Sequence, residues 1–117
     1  MYYFYVIKPF SRIGFGITQD YADRNKKYCS HCGELVPFVR LYGGLQTKSK
    51  KLERDIKRQY AHNIWVVDDW KTEWLNQDVK LDDFVAFLES IIVDKHLDLR
   101  LVAENITFQD QLDLTNK

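Results

Sequence analysis

The chain is poor in the residues that staple or interrupt a fold: two cysteines, two prolines and five glycines among 117 residues. Two cysteines, Cys29 and Cys32, are too few for a disulfide scaffold and fit a reducing compartment. No apolar run is long enough to cross a bilayer, which argues against a membrane partner. The start, Met1-Tyr2-Tyr3, lacks the basic and apolar regions of a signal peptide, so a cytoplasmic location is expected. Internal repeats and low-complexity segments are absent. Net charge is absent too, with 17 basic and 17 acidic residues.

That balance hides an asymmetry. Residues 1–77 hold 13 Lys and Arg against 8 Asp and Glu, whereas residues 78–117 hold 4 against 9. A basic part suits a polyanion; an acidic part suits a solvated cover, a protein partner or a mimic of nucleic acid. Unevenly scattered surface charge explains the split equally well. With 45% hydrophobic and 15% aromatic residues, the chain can bury one compact core.

Residues 2–7 are aromatic and β-branched throughout, as in a strand buried on both faces, and Lys8-Pro9 ends it. Ile13, Phe15 and Ile17 alternate along a second strand, which should pair with the first as a hairpin across residues 9–11. Thr18 or Asp20 can cap a following helix to about Tyr28, with Asp23 near its positive end. A third strand is expected at 35–42, edged or bulged at Pro37 and closed by Gly43-Gly44. Residues 48–61 read as an amphipathic, strongly basic helix with Leu52, Ile56 and Gln59 or Tyr60 inward. Residues 64–67 suit a short strand, 68–69 a turn, 72–75 another ordered piece, and 81–94 a helix with Leu81, Phe84, Val85, Leu88, Ile91 and Ile92 inward. The polar end from Phe108 need not be ordered.

Several residue types carry chemistry. Arg24, Lys26 and Lys27 share the first helix, and Lys48, Lys50, Lys51, Arg54, Lys57 and Arg58 the second, so both suit phosphates. Solubility alone also explains basic helices. Tyr42, Tyr60, Trp65, Trp70 and Trp74 suit base stacking, but such aromatics more often build a core or an interface. Cys29-Ser30-His31-Cys32 has the spacing of half a zinc site, and the other histidines are His62 and His96. A loop carrying two ordinary thiols is the plainer expectation. Tyr5 in an aromatic strand reads first as core, Arg24 as a solvated side chain, and Glu53 as a partner of Lys50, Arg54 or Lys57.

In order, Tyr3-Phe4-Tyr5, Gly16-Ile17-Thr18 with Arg24, Leu52-Glu53-Arg54 and Glu73-Trp74 resemble the motifs of the GIY-YIG nuclease superfamily, in its phage-type DNA-binding branch. The resemblance covers about residues 3–75 through short motifs. It implies an α/β fold, a small, mainly antiparallel three-stranded sheet flanked by helices over residues 1–77. An acidic helical extension at 78–106 and a polar tail at 107–117 would follow. It further implies a metal-dependent endonuclease that hydrolyses DNA in a cytoplasm, the host's if the chain is phage-encoded. Arg24 would stabilise the phosphate, Glu53 hold Mg²⁺ or Mn²⁺, and Tyr5 and Tyr28 position water. Lys26, Lys27, Lys50, Lys51, Arg54, Lys57 and Arg58 would hold the backbone.

Two positions depart from the pattern. Gly14 stands where the second motif has tyrosine, and Tyr28 where a histidine is common. The closing asparagine has only Asn63 and Asn76 as candidates by location. A catalytically weakened nucleic-acid-binding or inhibitory protein is therefore the alternative, with the acidic part facing a protein partner.

Overall fold

The computed structural model describes residues 1–33, 36–67 and 70–106, without side-chain placement at 10, 31, 67 and 70–73. Its first strand, β1 (Tyr2–Ile7), is buried on both faces because its side chains alternate between two cores. Phe4 and Val6 enter one cluster and Tyr5 and Ile7 the other. A short 3₁₀ turn at Pro9–Ser11 leads to β2 (Gly14–Thr18), paired antiparallel with β1 as the hairpin pattern predicts. Helix α1 (Tyr21–Cys32) follows, then β3 (Phe38–Gly44) on the other side of β1. Helix α2 (Gln46–Gln59) leads to β4 (Ile64–Val67), β5 (Trp70–Leu75), α3 (Leu81–Asp94) and β6 (Arg100–Ile106).

The strands form one six-stranded antiparallel sheet in the order β4-β5-β2-β1-β3-β6. Helices α2 and α3 cover the Phe4 and Val6 face, with Leu52, Ile56, Phe84 and Leu88 fully buried there. Helix α1 covers the opposite face, where Tyr21, Tyr28, Cys29 and Cys32 pack near Tyr5, Ile7, Phe38 and Leu41. The α/β class is as expected, but the sheet has six strands rather than three. Nor is the carboxyl-terminal part helical throughout, because after α3 the chain returns as β6 along β3. Arg100-Leu-Val-Ala-Glu-Asn-Ile alternates poorly, and what makes it a strand is the row of backbone groups that β3 offers at its edge.

Other boundaries move for local reasons. Helix α1 passes Tyr28 and ends at Gly33, whose left-handed backbone (φ 71°) lets its N–H bond to Cys29 O. The two cysteines thus lie in the last turn of a helix, not in a loop. Strand β3 starts after Pro37 and continues through Gly43 and Gly44, which were expected to close it. Helix α3 spans 81–94 as its periodicity predicts. The expected turn at 68–69, the start of the third strand at Leu35 and the tail at 107–117 lie outside the described residues.

Candidate nucleic-acid interface

Helix α1 begins where the sequence places its cap. The Asp20 carboxylate accepts from Asp23 N–H at 3.0 Å, and the Thr18 hydroxyl accepts from Asp20 N–H at 3.2 Å. One turn on, Arg24 is exposed, and its guanidinium has no hydrogen bond or ion pair among the described residues. Lys26 is exposed, and Lys27 is tied to Asp23 at 3.1 Å. Tyr28 follows Arg24 by four residues, so the two share a stripe of the helix. On the adjacent stripe, buried Asn25 donates to Val36 O and the Cys29 thiol accepts from Val36 N–H at 3.2 Å. These bonds seat α1 on the approach to β3.

Tyr28 reaches the sheet. Its hydroxyl lies 2.8 Å from that of Tyr5, and its ring meets Trp74 edge-on at 5.9 Å. The glycines of β2 make room for this cluster. Tyr5 lies opposite Gly16, where an added Cβ would stand 2.5 Å from the tyrosine oxygen. Trp74 lies opposite Gly14, where an added Cβ would overlap the indole. Gly14, the departure from the tyrosine of the second motif, is therefore required by the ring across the strand. Arg12 and Trp65 were missed as a pair: the guanidinium lies over the indole, 3.9 Å from its centroid. Their separation in sequence, 53 residues by their numbers, gives no local signal of the contact.

The expected catalytic residues divide between the two faces of the sheet. Tyr5, Tyr28 and Arg24 belong to the α1 side, and the structure brings the first two into hydrogen-bond contact. Glu53 belongs to α2, on the other side, half-exposed and paired with Lys57 at 3.5 Å. No hydrogen bond or ion pair among the described residues joins Glu53 to Arg24. Strand β5 pairs with β2 only at Gly14, leaving the outer edge of β2 from Phe15 to Thr18 unpaired among the described residues. Helix α2 packs against β1 and β2.

No family model, curated protein or solved structure matches the chain.

Helix α2 holds the largest concentration of cations. Lys50, Arg54, Lys57 and Arg58 are exposed, and Lys48 and Lys51 half-exposed. Its two acids are both engaged: Glu53 by Lys57, and buried Asp55 by Lys95 of the segment after α3, at 2.6 Å. Lys48, Lys50, Lys51, Arg54 and Arg58 have no ion pair among the described residues. No group of three His, Cys, Asp or Glu with metal-binding geometry occurs among the described residues. No described helix is long and apolar enough to cross a membrane.

Proposed function

We propose that this protein binds nucleic acid and that α2 supplies the main phosphate-contacting face. The supporting observation is that both acids of α2 are engaged while five of its cations are left to face solvent. Lysine and arginine on a rigid helix contact phosphates irrespective of sequence and release counterions on binding. DNA is the expected polymer, from the resemblance of the motifs to GIY-YIG nucleases. Anisotropy titrations of a labelled DNA duplex at rising salt test the proposal. Replacing Lys50, Arg54 and Arg58 by alanine is expected to weaken binding and to flatten the slope of log K against log salt by about 0.9 for each phosphate no longer neutralised. Unchanged affinity and slope would refute it.

A second reading, metal-dependent endonuclease, is favoured by one specific arrangement. Arg24 is exposed one turn before Tyr28, whose hydroxyl meets that of Tyr5 beside the open edge of β2. Glu53 would hold the metal. A single protein carboxylate suffices for Mg²⁺ when waters and substrate phosphate complete the shell, and the partly exposed pair with Lys57 is weak enough to yield. The bound metal would supply Lewis-acid stabilisation of the phosphate. Arg24 would neutralise charge developing on the nonbridging oxygens, and the paired phenols would orient a water. Cleavage of supercoiled DNA with Mg²⁺ or Mn²⁺, abolished in both Arg24→Ala and Glu53→Gln, is the expected result. Cleavage that survives either substitution would dismiss this assignment of roles.

A further inference from the structure

The α1 face of the sheet has a second feature that suits nucleic acid, apart from α2. Ile13 and Ile64 point into the core beneath α2 and α3. Arg12, in the extended segment before β2, and Trp65, at the irregular register of β4, are each one residue away and so turn toward the opposite face, where Trp74 and Tyr28 also lie. Arg12 stacks on Trp65, and its buried Nε has no hydrogen-bond partner among the described residues. A guanidinium fixed by stacking thus keeps an Nε–H that no described residue accepts. Leaving that buried donor unsatisfied costs free energy, while the guanidinium plane stays fixed by the stack.

Arg24 stands on the same side of the sheet, on the stripe of α1 whose Tyr28 touches Trp74. Among the described helices α1 packs on this face, where it meets β5 through Tyr28 and Trp74. Two arginines interleaved with a phenol and two indoles form the surface that unpaired nucleotides recognise. Bases stack on aromatic rings and guanidinium planes, and phosphates take the N–H groups. A duplex keeps its bases stacked inside and offers only its backbone to such a surface.

We infer that the surface between α1 and the β4 and β5 strands binds single-stranded nucleic acid, a base stacking on the Arg12–Trp65 pair and a neighbouring phosphate meeting Arg24. This rests on the nucleic-acid reading and adds which polymer state is selected and where. The basic helix α2 attracts either form; the arginine and tryptophan stack discriminates between them.

The test is anisotropy of a labelled single-stranded 12-mer and of the matching duplex at fixed low salt. The proteins compared are the full chain, Arg12→Gln, Trp65→Leu, and the α2 variant with Lys50, Arg54 and Arg58 as alanine. Arg12→Gln and Trp65→Leu are each expected to weaken the single strand by about tenfold and the duplex by less than about twofold, the size of one base stack. The α2 variant is expected to weaken both. If it does so while Arg12→Gln and Trp65→Leu leave the single strand unchanged, or weaken both polymers equally, the stacking surface is overturned and the α2 reading stands. If the intact protein binds neither polymer, both fail together. Circular dichroism establishes folding, and should Trp65→Leu unfold, Trp65→Phe is expected to keep part of the single-strand preference that Arg12→Gln removes.

Discussion

Single residues show how far a motif can be read. Gly16 looks like a motif glycine and Gly14 like the loss of a motif tyrosine, yet each makes room for an aromatic ring on the neighbouring strand. Replacing Gly16 by alanine forces its Cβ against the Tyr5 oxygen, so the variant is expected to lose about 1–3 kcal/mol in urea unfolding. Tyr5→Phe removes that oxygen and with it the bond to Tyr28, at a cost of about 1 kcal/mol. The double variant should be somewhat more stable than the sum of the two losses predicts, because the nearest atom that alanine meets is gone while the ring carbon Cζ, at 2.9 Å, stays. Strict additivity would show that the steric contact is not what Gly16 relieves.

Between elements, two polar ties hold the helices of the α2 and α3 side. Lys95 meets Asp55 across α2, so Lys95→Met leaves a buried carboxylate unpaired and is expected to cost about 1–3 kcal/mol in the same assay. The Tyr42 hydroxyl of β3 donates to Glu89 of α3 at 2.9 Å. Burial, then the Glu89 hydrogen bond, raises the Tyr42 pKa far above its ordinary 10.0; burial, then the Asp83 charge, also raises that of Tyr60. Each phenol holds its proton more tightly folded than unfolded. The contribution is therefore complete below pH 10 and falls as the pH climbs from there through the raised values. Unfolding free energy should drop above pH 10, and Tyr42→Phe should shallow that drop; an unaltered slope would exclude Tyr42 as its source. The elements themselves were unevenly legible. Periodicity showed α3 in full and β1 as doubly buried, whereas β6 carries charges at Arg100 and Glu104 and becomes a strand only against β3.

Over the whole molecule, the basic and acidic parts do not separate as fold and appendage. Phe84, Leu88, Leu97 and Leu99 from beyond residue 77 share one core with Phe4, Val6, Leu52 and Ile56. A chain ending at Gln77 would lose that core, the α3 ties and β6 together. It is expected to lose cooperative unfolding and resist proteolysis poorly; a cooperative melt from that fragment would contradict the shared core. The acids Asp82, Asp83, Glu89 and Asp94 of α3 are exposed, on a helix that packs against basic α2.

The sequence by itself determined the α/β class, the first hairpin, the capped arginine helix, the basic α2 and the apolar face of α3, because each follows from local periodicity, capping or composition. Tertiary structure decided the six-stranded sheet, the division of Tyr5 and Arg24 from Glu53, the duty of the glycines and the meeting of Arg12 with Trp65. Those depend on which strand edges find each other and which face a side chain takes once they do, contacts between residues far apart along the chain that no local pattern encodes.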